Sequence, residues 1–196
     1  MSTLSIIRRF EVASPTKLVW DYLTTPELVV TCLPGAALVS SAEDGRKHEG
    51  TVTVKLGAMS ISYRGTAEFE ELDTAACKMR VRARGREKSG SGSAEMTIHA
   101  EIAAKGPAAS EVALEASVSV TGRIVTLGRG MIEIVSEQML SDFASCLCHR
   151  LTSTHDEAGP GDASAASSGS GAEAASAVGL LWRAMRSWLA RLLGRR

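Results

Sequence analysis

Apolar and polar residues alternate with a period of two through most of the first 121 residues, then recur three or four apart from Arg123 to Leu151. The first regime predicts strands over 4–12, 37–41, 47–55, 60–72, 76–87, 91–105 and 110–121, with turns at Glu43-Asp44-Gly45 and Gly106-Pro107. Ser14-Pro15 and Thr25-Pro26 each set a capping residue before a first-turn proline. They predict one short helix from Thr16 to Leu23 and another through Cys32, stopped by Leu33-Pro34-Gly35. In the second regime Leu127, Met131, Ile134, Val135, Met139, Phe143 and Leu147 form one stripe, with Glu133, Glu137 and Asp142 between them. One long amphipathic helix is expected, with about 40 Å of stripe to cover. Its cover is a curved antiparallel sheet of six to seven strands wrapped around it, an α+β architecture.

The alternation assigns the faces of that sheet. Val52 and Val54, then Ile61, Tyr63, Ala67 and Phe69, then Met79, Val81 and Ala83 point inward. So do Met96, Ile98, Ala100 and Ile102, and after them Val112, Leu114, Ala116, Val118 and Val120. Trp20 and Leu23 face inward from the first helix. The outer face carries a cationic row, Lys78, Arg80, Arg82, Arg84, Arg86 and Lys88, with Glu68 and Glu70 on the strand before and Glu95 and Glu101 on the strand after. Cross-strand acid and base pairs account for such a row. No nucleic-acid partner is expected, because the domain is near neutral and poor in aromatics for stacking bases.

Composition changes the picture of the interior. The chain is 44% hydrophobic but only 4% aromatic, and many inward positions are alanine, so sheet and helix lack bulky filler. An apolar cavity is expected. The residues expected to line it are Val54, Ile61, Tyr63 and Phe69, Val81 and Ala83, Met96, Ile98 and Ala100, and Leu114 and Ala116 on the sheet. Leu127, Met131 and Val135 complete it from the helix. Ala83, Ala100 and Ala116 should border open space. The competing reading is a sheet collapsed on the helix.

Candidate chemistry adds little. Cys146 and Cys148 stand two apart on a helix and point about 200° away from each other, so they cannot converge on one metal ion. The chain opens with no signal-peptide-like apolar run and contains no apolar window long enough to span a bilayer, which predicts a cytoplasmic protein whose four cysteines, Cys32, Cys77, Cys146 and Cys148, stay reduced. His48, His99, His149 and His155 fall into no nucleophilic set, and apart from Tyr63 no acid and base pair is expected in the interior. Gly128-Arg129-Gly130 lacks the strand, spacing and lysine of a phosphate loop. No catalytic residues and no metal site are expected.

The order of elements resembles the helix-grip fold of the START and birch-pollen-allergen (SRPBCC) superfamily. Within it several stretches are similar to the CoxG family of carbon monoxide dehydrogenase. They are Phe10-Glu11-Val12 through Ser14-Pro15 to Val19-Trp20, Leu33-Pro34-Gly35-Ala36, Val52-Thr53-Val54-Lys55-Leu56-Gly57, Tyr63-Arg64-Gly65-Thr66 and Leu127-Gly128-x-Gly130-Met131-Ile132. The resemblance covers residues 2 to 151. It implies association with a molybdenum hydroxylase of the carbon monoxide dehydrogenase and xanthine dehydrogenase type, without a catalytic set of its own.

Beyond Leu151 the composition shifts. Residues 152–177 are Ala, Ser and Gly with four acids and no bases, a composition that predicts a flexible linker. Residues 178–196 carry five Arg and no acids, in a helical pattern with Leu181, Trp182, Met185, Trp188, Leu189 and Leu192 on one arc and Arg183, Arg186 and Arg191 beyond it. This pattern predicts a peripheral anchor on the inner face of the cell membrane, or a helix that docks on a partner protein or on this domain. Two functional readings remain. In one, a membrane-tethered carrier holds an apolar redox molecule, a quinone, for the molybdenum hydroxylase. In the other, a ligand-free assembly or recruitment factor brings that enzyme to the membrane.

Overall fold

A computed structural model describes residues 2–56, 59–90 and 92–153 of the chain. Strand β1 (Ser2–Val12) leads into helix α1 (Thr16–Leu23), short helix α2 (Pro26–Val29) and a single 3₁₀ turn, Val30–Cys32. Six strands follow: β2 (Ala36–Ser41), β3 (Lys47–Leu56), β4 (Met59–Asp73), β5 (Lys78–Glu87), β6 (Ser93–Gly106) and β7 (Ala109–Val120). A second 3₁₀ turn, Arg123–Leu127, precedes the closing helix α3 (Arg129–Ser153). All seven strands form one antiparallel sheet in the order β1-β7-β6-β5-β4-β3-β2. After β1, neighbours in sequence are neighbours in the sheet, as expected where alternating strands are joined by short turns.

Three local expectations are corrected. Ser14 does not cap α1: Pro15 holds that position, while the Ser14 hydroxyl is buried without a partner among the described residues and its carbonyl accepts a hydrogen bond from Ser110 Oγ at 2.8 Å. The long helix does not begin at Arg123. Gly128 has φ of 82°, a left-handed conformation that separates the 3₁₀ turn from α3, so Leu127 lies before the helix. At its other end α3 runs through Thr152 and Ser153, two residues into the stretch read as linker. The remaining residues of the linker, and the residues expected to touch a membrane, Leu181, Trp182, Arg183, Met185, Arg186, Trp188, Leu189, Arg191 and Leu192, lie outside the described residues.

The outer face of the sheet carries the expected ion pairs. Arg82 reaches both Glu70 and Glu95, Arg84 reaches Glu95, and Lys78 reaches Glu101. A bulge between Phe69 and Glu71 shifts the register of β4 on β5, which brings Glu71 opposite Arg80 as its ion-pair partner. Hydrogen bonds from Arg82 and then Arg84 hold the Glu95 carboxyl below the usual carboxylate range.

The concave face is packed at both ends. At one end Val12, Val19, Trp20, Leu23, Phe69, Met79, Ile102 and Val112 meet Phe143, Leu147 and Leu151 of α3. At the other, Leu4, Ile61, Tyr63 and Val120 meet Ile124 and Ile132. Arg8 of β1 donates to Ser141 Oγ at 3.2 Å and fastens the helix to the sheet edge. The buried positions of α3 are Ile132, Phe143, Ala144, Leu147 and Leu151. Two residues of the expected stripe are therefore turned outward: Met131 is 46% exposed and Ile134 is 63% exposed.

Cys32 and Cys146 are joined by a disulfide across 114 residues, which corrects the expectation of four free thiols. That expectation followed from compartment alone, and geometry overrides it. Cys32 ends the first 3₁₀ turn and Cys146 lies on the α3 flank that packs against it, so the fold brings the two sulfurs together. Cys77 and Cys148 are free and half-buried; burial pushes the Cys148 thiol up, and it lies 3.4 Å from the Glu11 carbonyl. With Cys146 directed at Cys32 and Cys148 at β1, the two neighbouring sulfurs of α3 diverge as helical spacing requires.

Candidate functional site

Between the two packed ends the middle of the concave face is only partly covered. Val54, Val81, Ala83, Met96 and Ile98 all face the helix side, yet each is half-buried. Val81 and Ile98 lean on the first cluster, whereas Ala83 and Met96 belong to neither. They stand directly opposite each other on β5 and β6. On the helix, Val135 and Met139 are likewise half-buried and in neither cluster. Water thus reaches an apolar strip in the middle of the sheet, and an apolar surface left partly wet can gain stability by receiving an apolar molecule.

The other residues expected at the site are placed less favourably. Ile61, Tyr63, Phe69, Ala100, Leu114 and Ala116 are buried within the packing, so Ala100 and Ala116, each 6% exposed, do not border open space. Leu127 packs against the second cluster from the 3₁₀ turn, and Met131 points to solvent. Two depressions of about 340 and 330 Å³ lie on the opposite, outer face, one beside Arg9, Lys78, His99 and Glu115, the other beside Arg64, Arg84 and Glu95. Both carry several charged residues of that face, so the apolar strip of the concave face is the better candidate for an apolar ligand.

A polar pair closes one end of the strip, and sequence reasoning missed half of it. Glu87 on β5 lies directly opposite Tyr63 on β4. Both residues are buried, at 6% and 5% exposure, and Tyr63 packs among Ile61, Val120 and Ile124. Burial pushes the Tyr63 phenol up, and the negative charge of Glu87 adds to the effect. Among the described residues the Tyr63 hydroxyl has no hydrogen-bond partner. Arg123, exposed at the rim, brings Nη1 to 4.0 Å from Glu87 Oε1. A Cβ at position 92 would come within 2.9 Å of Glu87 Oε2 and 2.6 Å of the Thr121 carbonyl, so Gly92 leaves the room that this carboxylate occupies. The signal was present: Glu87 shares the parity of Met79, Val81 and Ala83, but the cations around it drew attention to the outer face.

The pair Gly65–Gly85 comes next along β4 and β5 and puts no side chain on the concave face, and the half-buried pair Ala67–Ala83 follows. In the same register Gly50 stands opposite Gly65 on β3. A Cβ at Gly65 would lie 1.9 Å from the Arg84 carbonyl oxygen, an approach that only glycine allows. The glycine row links the polar pair to the wet part of the strip.

Among the described residues no group of His, Cys, Asp and Glu could hold a metal ion, and no helix is long and apolar enough to cross a membrane. His48 is held locally, with Nδ1 2.9 Å from Ser41 Oγ, Nε2 3.1 Å from the Gly45 carbonyl, and its ring edge-on to Phe69.

Solved structures share this architecture. A conserved protein from Geobacillus kaustophilus matches with a TM-score of 0.69 and 18% identity, over 77% of this chain and 97% of that one. A START superfamily protein from Mycobacterium smegmatis matches at 0.56 and 13%, over 76% and 98%. Norcoclaurine synthase from Thalictrum flavum, a point mutant in complex with a transition state analogue, matches at 0.56 and 19%, over 79% and 97%. At these identities they show the fold, which is the helix-grip arrangement of START-type proteins. No curated protein matches the chain. The model of the family described as CoxG, a carbon monoxide dehydrogenase subunit, matches residues 9–152, nearly the whole of the described domain. The chain therefore belongs to the CoxG family, an accessory-subunit family that associates it with carbon monoxide dehydrogenase.

Proposed function

We propose that this chain is a carrier without catalysis of its own, which holds an apolar redox molecule, a quinone, on its concave face and presents it to a molybdenum hydroxylase of the carbon monoxide dehydrogenase type. The observation that supports this reading is the half-exposed strip of Val81, Ala83, Met96 and Ile98 between two packed ends. An apolar molecule laid there removes that surface from water, at about 25 cal/mol for each Å² covered. Tyr63, with a hydroxyl to donate, stands at one end for a ligand oxygen. Residues 178–196 are the membrane arm of the proposal: their tryptophans and arginines suit an anionic headgroup region, from which the carrier would collect its ligand.

The test is mass spectrometry of an organic extract of the purified full-length chain. A quinone recovered in near-stoichiometric amount supports the carrier, and an extract without an apolar redox molecule refutes it. A second reading, the ligand-free recruitment factor, draws on the outward Ile134 and Met131 of α3, an apolar surface fit to meet a protein. It predicts an empty extract together with co-purification of the enzyme, lost on Ile134→Glu.

A further inference from the structure

We propose that Tyr63 and Glu87 form a polar end to the groove that selects neutral apolar ligands bearing a keto or hydroxyl oxygen and rejects apolar carboxylates. The inference rests on the carrier reading and assigns the chemistry of its ligand's head. Three observations support it. Tyr63 and Glu87 are direct cross-strand partners on the concave face, both buried, with Tyr63 packed among apolar side chains. The Tyr63 hydroxyl is unpartnered among the described residues, and a buried hydroxyl left in that state is destabilising until an acceptor reaches it. The side-chain-free pair Gly65–Gly85 connects this end to the half-exposed Ala83 and Met96, so a ligand lying on the strip can extend an oxygen toward the phenol.

The charges set the selectivity. A keto oxygen accepts from Tyr63, and a ligand hydroxyl can in addition donate to the Glu87 carboxylate. A ligand carboxylate would instead set a second anion beside the buried Glu87 carboxylate, next to the apolar packing around Tyr63. Arg123 already pairs with Glu87 and is 56% exposed, which leaves it a weak counter-ion for another charge. The pair thus discriminates by charge, where the apolar strip alone would accept any chain of suitable shape.

The experiment is a fluorescence or calorimetric titration of the full-length chain with decyl-benzoquinone, dodecanol and dodecanoate at neutral pH. The native chain should bind the quinone and the alcohol, and dodecanoate at least about tenfold more weakly. Tyr63→Phe should weaken quinone binding about tenfold, the usual worth of one buried hydrogen bond. Glu87→Gln, nearly isosteric, should narrow the gap between dodecanol and dodecanoate; if that variant does not fold, Tyr63→Phe and the native-chain comparison decide. Dodecanoate bound as tightly as dodecanol by the native chain overturns the proposal and leaves the carrier standing. So does a quinone affinity untouched by Tyr63→Phe, or an alcohol-to-acid ratio unchanged in folded Glu87→Gln. If the native chain binds none of the three probes, the carrier reading falls and this inference with it.

Discussion

Leucine placed at Ala83, Ala100 and Ala116 in turn asks whether the middle of the concave face is open. The three alanines face the same side of the sheet, on β5, β6 and β7, but they differ in surroundings. Ala83 is half-buried and outside both packed clusters, whereas Ala100 lies within one and Ala116 is equally covered. Three added carbons in a filled core force neighbours out of their rotamers and cost about 1–3 kcal/mol. The same carbons over a wet apolar strip meet open space and can shelter part of Met96, so Ala83→Leu should change stability by less than about 0.5 kcal/mol. Urea unfolding followed by circular dichroism measures all three, with equal slopes showing that the transitions are comparable. A quinone titration on the same samples should show binding lost in Ala83→Leu and kept wherever Ala100→Leu remains folded. The reasoning is refuted if Ala83→Leu costs as much as Ala100→Leu, because the strip would then be packed and the half-burial would reflect local sheet curvature.

Three further outcomes follow from other parts of the molecule. Reduction of the Cys32–Cys146 bridge, or its replacement by Cys32→Ser and Cys146→Ser together, frees a 114-residue loop; chain entropy puts the loss near 5 kcal/mol, so thermal melting should fall by about 10–20 °C, and an unchanged melting curve would show the bridge to be absent in solution. Burial and the Glu87 charge raise the Tyr63 phenol above its ordinary value of about 10, so the folded state holds that proton more tightly than the unfolded chain does. Stability from this source is present below pH 10 or so and is lost as pH rises further; alkaline unfolding should therefore flatten in Tyr63→Phe, and identical alkaline profiles would contradict the assignment. Deletion of residues 178–196 should release the chain from anionic liposomes without shifting its melting temperature, and a truncated chain that still sediments with them would place the anchor elsewhere.

Much of the sheet was legible because from β2 to β7 each strand pairs with its sequence neighbour, so period-two alternation alone places Ile61, Val81, Ile98 and Leu114 on one face and the arginine row on the other. What failed did so where a distant contact overrides a local pattern. Met131 and Ile134 fit a helical stripe, but the helix docks through Ile132, Phe143 and Leu147, and periodicity cannot say which of two adjoining faces will find a partner. Cys32 and Cys146 carry no local mark of their pairing, since the chain between them must fold before they meet.

Glu87 is the case that bears on function. Alternation from Met79 through Ala83 and Gly85 leads directly to it, and the register sets it inward, opposite Tyr63. Sequence reasoning sets carboxylates on the wet face because an isolated buried charge is costly. Here Arg123 at the rim offsets part of that cost, supplied by the 3₁₀ turn before α3, a segment with no sequence proximity to β5. A helix that began at Arg123 would carry this side chain on a continuous helical turn. The break at Gly128 leaves Arg123 on a separate 3₁₀ segment, from which it reaches Glu87 at the end of β5. The strip ends in the cross-strand pair Tyr63 and Glu87, which a ligand head would meet there under the carrier reading.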